Sequence, residues 1–382
     1  MRVVFISNYL NHHQLPFCLQ LENILGKDFK FISTNPISEE RLRLGYVDMS
    51  ESYEFLINSY SSDENYFKSL KLAFKSEIVI IGNAPYDFVK ERIKSNKITF
   101  FYNERLFKKG KLRLLWPKTL FKLYTKHIAH KNKNTYMLCP GIYAAEDFKF
   151  IGAYKDKLLK WGYFPECKSN NIEKILKKKE NAVPKILWVG RFISWKHPEQ
   201  AIELAKMLKK YGYTFKLNLI GKGQLETSLR SLIKKYELER YVEILGNKNL
   251  TQVRENMEES NIFLATSDFN EGWGAVLNES MSSGCAVVAS KAMGSASYLV
   301  NHRNNGLVYK NKRVGDLFMC VKSLLDDREL TKELGIKAYD TILKTWNAEV
   351  SAKRLLLLAE SYLKNKTIKF EEGPLSDALK DM

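Results

Sequence analysis

Two glutamates eight positions apart, Glu271 and Glu279, flank a Gly-Trp-Gly turn in the stretch "TSDFNEGWGAVLNESMSSGCAVVAS", residues 266–290. The apolar run "IFLATS" reads as a strand, "DFNEGWG" as the loop at its carboxyl end and "AVLNESMSS" as the helix that follows. Glu271 therefore falls in the loop and Glu279 near the helix start. Gly272 and Gly274 let backbone approach a ligand closely, and amides at a helix start attract an anion. Carboxylates beside a phosphate would repel it unless they serve as acceptors for hydroxyl hydrogens, which sugars and riboses supply. The arrangement suits a sugar joined to a phosphate.

Such a ligand also calls for cations. The stretch "VGRFISWKHPEQ" offers Arg191 and Lys196 in the loop after the strand "KILWVG". In a parallel sheet that loop opens on the same rim as the glutamate loop. A guanidinium and an ammonium there can neutralise a diphosphate as it leaves, which is electrostatic catalysis by side chains. No Asp-x-Asp pair or carboxylate cluster suggests a magnesium site, so the reading calls for no metal and no cofactor. "GKGQLE" lacks the third glycine of the dinucleotide fingerprint and by itself reads as a turn before a helix.

The elements that position these residues repeat strand and helix. In the first half "RVVFIS", "FKFIST", "EIVIIGN" and "KITFFYN" are buried-strand candidates with helical spacing between them. Around "WGYFPECKSNNIEKILKKKENAVPK" the pattern breaks. A second series then runs "KILWVG", helix 199–211, "FKLNLIG", helix 225–237, "YVEILG", helix 249–259, "IFLATS", helix 276–283 and "CAVVAS". Repeated βα units imply parallel sheets covered on both faces. The fold class is α/β, two Rossmann-like βαβ domains facing across a cleft. The predicted boundaries are 1–165, a linker at 166–184, 185–350, and a closing segment at 351–382. Its end, "NKTIKFEEGPLSDALKDM", is polar and reads as frayed.

At 382 residues the chain is long enough for two domains, and 45% hydrophobic with 27% charged residues is a globular composition. Five scattered cysteines without a CxxC pair suit a reducing compartment. The N-terminal apolar run is too short for a signal peptide, and no window approaches the length of a spanning helix. The net charge of +18 is concentrated. Residues 101–133 hold ten Lys or Arg against one Glu, half of the excess, which implies an anionic partner. Residues 106–126 alternate Leu, Phe and Trp with Lys and Arg, which suits an anionic membrane surface, although an ordinary surface helix shows the same pattern. His127 and His130 lie among those lysines and read as surface residues.

"VGRFISWKHPEQAIELA", "LIGKGQLETSLRSLI", "VEILGNKN" and "EGWGAVLNESMSSGCAVVAS" resemble the nucleotide-sugar-binding half of the GT-B retaining glycosyltransferases of family 4, in order and spacing over residues 185–310. "TWNAEVSAKRLLLLAESYLKN" resembles the closing helix of that fold, which crosses back onto the N-terminal domain. The resemblance implies a donor site in which Arg191 and Lys196 hold the diphosphate and Glu271 accepts from the sugar. The amides around Gly272, Trp273 and Gly274 would lie beside it, with Glu279 on the ribose, Gly190, Gly221 and Gly223 along the phosphates, and Gly246 and Asn247 at the base. A UDP-sugar is favoured over a GDP-sugar. The reaction would retain anomeric configuration by same-face attack of the acceptor, assisted by the leaving phosphate. Glycosidases instead use one carboxylate as acid and another as nucleophile or base.

The acceptor is expected to be a glycan or lipid-linked glycan of bacterial surface polysaccharide synthesis, met by the N-terminal domain at the cytoplasmic face of the inner membrane. His12 and His13, after the first strand, and Glu104 or Asn103, after "KITFFYN", are the candidates to touch it. The sequence departs from the family where "SNYLNHHQLPF" replaces a glycine pair, where "FFYNERLF" replaces a histidine, and where "MGSASYLV" keeps only Gly294 of a Gly-Gly-Glu pattern. Two other classes compete. A nucleic-acid-binding protein fits the charge, yet no nucleic-acid motif is present and the basic window lies away from the glutamates. A GT-B sugar-nucleotide epimerase would turn over donor without an acceptor, and a phosphorylase lacks its cofactor lysine site.

Overall fold

The apolar runs of the first half become strands of one parallel sheet because they are buried on both faces. β1 (Val3–Ser7) and β4 (Ile78–Ile81) are covered along their whole length, as strands flanked by helices on both sides must be. The computed structural model describes residues 1–43, 46–108, 110–167, 171–180 and 182–380. Lys109 and the side chain of Arg113, both in the basic stretch, lie outside the described residues, as do positions 168–170 and 181 of the expected linker.

The chain forms two units, Met1–Glu166 with Asn347–Met382, and Cys167–Trp346. In the first unit β2 (Phe29–Ser33), β3 (Leu56–Asn58), β5 (Thr99–Tyr102), β6 (Thr135–Pro140) and β7 (Leu158–Trp161) complete a seven-stranded sheet in the order β3-β2-β1-β4-β5-β6-β7. In the second unit six strands, β8 (Lys185–Val189), β9 (Lys216–Ile220), β10 (Val242–Gly246), β11 (Ile262–Ala265), β12 (Ala286–Ser290) and β13 (Leu307–Tyr309), run β10-β9-β8-β11-β12-β13. All paired strands of both sheets are parallel. The expected α/β class with two Rossmann-like sheets is the one observed. β3, β6, β7 and β13 were not among the strands expected from the sequence; β3 and β13, at three residues each, are too short to set a period.

Ile186, Leu217, Leu219, Leu264 and Val288 from the second sheet pack against Ile202, Ala205 and Leu208 of the helix Pro198–Lys210 to build that unit's core. In the first unit the helix Ala348–Leu363 lies against the helix Leu15–Leu25. The polar tail is not frayed. Leu375 and Ala378 are buried. The tail backbone also pairs with the edge strand β7, through Lys160 N to Ser376 O at 2.8 Å and Leu375 N to Lys160 O at 2.7 Å. An edge strand carries unpaired amides and carbonyls, and the tail satisfies them.

His127 also departs from expectation. It is 4% exposed, packed against Phe101, Phe148 and Tyr154, with Nδ1 2.7 Å from the Tyr154 hydroxyl. Burial, then the charges of Lys126 and His130, pushes its pKa down to about 3. Its lysine neighbours belong to an exposed lobe, while His127 is where the chain re-enters the core. Among the described residues no helix is long and apolar enough to cross a membrane.

A buried guanidinium fastens the rim opposite the loops that follow the strands. Arg92 is 1% exposed and donates to the carbonyls of Ala73 at 2.8 Å, Ser76 at 2.6 Å, Glu77 at 2.8 Å and Ile98 at 2.6 Å, with Nε toward the Thr99 hydroxyl at 3.2 Å. Burial lowers its pKa to about 10. Replacing Arg92 with alanine strands those carbonyls and is expected to cost about 3 kcal/mol or more. Lysine, with a point charge and fewer directed donors, should restore only part of that. Urea denaturation of wild type, R92A and R92K checks the order.

Candidate active site

β8 and β11 lie side by side, with Ile186 opposite Ile262 and Leu187 opposite Phe263. Here the strand order diverges, since β8 continues to β9 on one side and β11 to β12 on the other. The loops after both strands open along one edge at this switch point, the position where ligands enter open parallel sheets. The loops are also stitched to each other. Asp268 N donates to Trp195 O at 2.9 Å, the Thr266 hydroxyl donates to Lys196 O at 2.6 Å, and Trp188 Nε1 donates to the Thr266 hydroxyl at 2.7 Å.

This stitching brings three of the sequence-selected residues together. Lys196 Nζ forms an ion pair with Glu271 Oε2, and both side chains are about four-fifths or more buried. Ser267 Oγ donates to the same oxygen at 3.3 Å. Glu279, in the helix Val276–Met281, has its carboxyl pushed up by burial, against the lowering pull of Arg254 and Lys196. One ammonium therefore acts on both glutamates. Arg191 stands apart from this trio. It is exposed, and its guanidinium lies 5.8 Å from the centroid of the Trp195 ring.

The glycines have a more local job than the sequence suggested. A Cβ on Gly221 would sit 1.9 Å from Gly190 O, and one on Gly223 would sit 2.5 Å from Phe192 O. The room made at Gly221 and Gly223 is filled by the neighbouring loop's own backbone, and that at Gly190 by the ring of Trp188. Gly221 N also donates to Gly246 O at 2.8 Å, which ties the β9 and β10 loops, while Asn247 beyond them is exposed. In the glutamate loop, Gly294 packs directly on Gly272 O, where a Cβ would stand at 1.9 Å, and Gly274 takes φ +85°. Trp273 is fully buried between Tyr298 and Trp346, and its Nε1 donates to Asn278 Oδ1 at 2.8 Å. Its ring braces the loop.

The sequence reading missed two further groups. Arg254, on the helix Leu250–Glu259, reaches Ser282 Oγ at 2.8 Å and Ser283 Oγ at 3.2 Å beside Glu279. A lone arginine on an amphipathic helix carries no signal of that reach. His197 follows Lys196 with φ +50° and lies between two carboxylates, Nδ1 2.7 Å from Glu199 and Nε2 3.1 Å from Asp268. Asp268 in turn accepts from Asn270 N and Nδ2 and offers its carbonyl to Glu271 N at 3.0 Å. His197 thus ties the lysine loop to the glutamate loop. Burial works against a charged ring, but the hydrogen bonds and charges of Glu199 and Asp268 outweigh it and raise the His197 pKa.

The first unit gathers the other candidates at the loops after its own strands. His13 stacks on Tyr163 with ring centroids 5.4 Å apart and 10° between planes, and the Tyr163 hydroxyl donates to Glu104. Lys108 pairs with the same carboxylate. His12 lies against His13 and Tyr46, and burial lowers its pKa. Asn103 Nδ2 is buried without a hydrogen-bond partner among the described residues. Tyr163, which follows β7 and lies 150 positions after His13, links His13 to Glu104 and was not singled out by any spacing.

Residues 169–341 match the model of the glycosyl transferases group 1 family. A poly(ribitol-phosphate) alpha-N-acetylglucosaminyltransferase of Staphylococcus aureus is 25% identical over 45% of this chain and 34% of its own length. An N-acetylgalactosamine-N,N'-diacetylbacillosaminyl-diphospho-undecaprenol 4-alpha-N-acetylgalactosaminyltransferase of Campylobacter jejuni is 33% identical over 40% of each chain. The match thus spans less than half the length of these curated relatives. Among solved structures, Anabaena Alr3699/HepE in complex with UDP aligns over 95% of this chain and 100% of its own, with TM-score 0.71 and 15% identity. That likeness is one of fold, and the fold is GT-B.

The His197 clamp predicts a pH dependence of stability. With its folded pKa raised, the charged ring stabilises fully below the unfolded value of about 6.5, and the contribution is lost as pH rises through the folded value. Asparagine tolerates the left-handed backbone and carries no charge. The melting temperature of H197N should therefore fall furthest below wild type near pH 6, with the gap narrowing toward pH 9. A gap independent of pH would show that the ring's charge plays no part.

Proposed function

We propose, for a chain whose residues 169–341 match the model of the glycosyl transferases group 1 family, a family 4 transferase that moves a sugar from a nucleotide-sugar donor to a glycan or lipid-linked glycan with retention of anomeric configuration. The observation that carries the reading is the single ammonium of Lys196 acting on both Glu271 and Glu279 at the switch point of the second sheet. Sugar hydroxyls need acceptors, a diphosphate needs cations, and this rim supplies both within one side chain's reach.

In this reading Lys196 and Arg191 take the donor diphosphate. Glu271 accepts from the sugar hydroxyls beside the backbone of Gly272 to Gly274, and Glu279 accepts from the ribose with Arg254 near it. The bond from the anomeric carbon to the phosphate oxygen breaks, and its electron pair goes to the diphosphate, whose growing charge the two cations stabilise. The acceptor hydroxyl adds on the same face and passes its proton to the departing phosphate. His12, His13, Glu104 and Tyr163 are assigned to acceptor binding, where stacked rings beside a carboxylate suit a sugar.

UDP is the favoured nucleotide, supported by the fold shared with a protein solved in complex with UDP. A lipid-linked acceptor and a role in polysaccharide biosynthesis find support in the names of the similar transferases. The location proposed is the cytoplasmic face of the membrane.

Thermal-shift screening of UDP- and GDP-sugars should find one that raises the melting temperature, since a ligand that binds only the folded chain stabilises it. With that donor and a matched acceptor, E271A and K196A should each lose on the order of 10²–10³-fold in kcat while melting within a few degrees of wild type. NMR of the product should show the donor's anomeric configuration unchanged. An inverted product would end the retaining assignment, and full activity in E271A would remove Glu271 from the site.

A further inference from the structure

The stretch that leaves the first unit's core after Phe107 and returns at His127 turns its apolar side chains outward. Phe107 is buried, with its amide donating to Asp147 Oδ2 at 2.9 Å, and His127 is buried against Tyr154. Between these pins lie a short 3-10 turn, Lys111–Leu115, and the helix Pro117–Leu123, which has no buried residue. A surface helix ordinarily presents its apolar side to the core. Here Leu112 is 78% exposed, Trp116 69%, Phe121 71% and Tyr124 55%, with Leu120 at 49%. Phe150, 56% exposed and capped by the Lys111 ammonium 3.8 Å from its ring, extends the patch.

Isolated exposed apolar residues are ordinary, but a contiguous cluster marks a contact surface. The charge around this one selects its partner. From 106 to 133 the sequence has nine basic residues and no acidic one. Lys118 and Lys122 are exposed beside Trp116 and Phe121. We propose that this lobe is a docking surface for an anionic phospholipid bilayer, with Trp116 and Phe121 entering the headgroup boundary and the lysines meeting lipid phosphates. A second copy of the chain would set nine positive charges against nine. A polyanion such as RNA would satisfy the lysines while leaving Leu112 and Leu120 in water. The inference does not depend on which reaction the second unit performs.

The test uses the whole chain with vesicles of phosphatidylcholine alone and with about 30 mol% phosphatidylglycerol. Sedimentation should show roughly ten-fold tighter binding to the anionic vesicles, lost in about 0.5 M salt. Trp116 is the most exposed of the six tryptophans, so its emission should shift to the blue on binding. W116S/F121S, which replaces exposed side chains and should fold normally, is expected to bind the anionic vesicles roughly ten-fold less tightly. K118S/K122S should lose anionic preference in the same assay. Unchanged binding by W116S/F121S would overturn the proposal. So would RNA binding that vesicles do not compete, or a dimer in light scattering that W116S/F121S abolishes.

Discussion

The pairing of Lys196 with Glu271 depends on a constraint set far below it, the parallel register of β8 against β11. Parallel strands deliver their carboxyl ends to one edge, so residues about 75 positions apart in sequence meet without any long-range signal between them. The backbone bonds from Asp268 to Trp195 and from Thr266 to Lys196 then fix the loop bases, leaving only side-chain torsions to bring ammonium and carboxylate into contact. An ion pair buried to this extent contributes little net stability, because desolvation offsets most of the attraction. Its value lies in holding opposite charges ready at the rim. On the proposed reading a phosphate oxygen arriving at Lys196 takes over that charge and leaves Glu271 to accept from a hydroxyl.

The same edge logic explains what could be read from the sequence. Strands at period two or in continuous apolar runs, and helices at period 3.6, carry their own local signature, so four strands of the first sheet, five of the second, the loops bearing Arg191, Lys196 and Glu271 and the helix bearing Glu279 were legible. Contacts made by tertiary packing were not. Arg254 acts on Glu279 only because the helix Leu250–Glu259 lies against the helix Val276–Met281. Tyr163 reaches Glu104 only because β7 stands two strands from β5.

Burial was the other hidden variable. Trp273 sits in the glycine turn, where its amide was expected beside a ligand, and its indole is buried against Tyr298 and Trp346. His127 looked like a surface residue because its neighbours are lysines, yet its ring packs against Phe101, Phe148 and Tyr154. The polar tail held no apolar period, but an edge strand needs backbone partners more than side chains, and Leu375 with Ala378 sufficed. The glycines at 221 and 223 were expected along a ligand's phosphates, and each lies hard against protein backbone, at Gly190 O and Phe192 O. What approaches is the β8 loop, which suggests that rigidity of the rim is their first contribution.

The large positive charge is divided between two kinds of work. At the second unit's rim the cation Lys196 is matched by carboxylates, so its field is short-ranged and is felt only by a group that displaces or joins the pair. On the lobe between Phe107 and His127 the sequence supplies no acidic residue of its own, and beyond the pairing of Lys108 with Glu104 the basic field adds up and reaches a Debye length, about 8–10 Å, into solvent. Matched charge gives selectivity for a ligand with both phosphate and hydroxyls, and unmatched charge gives attraction to any extended anionic surface.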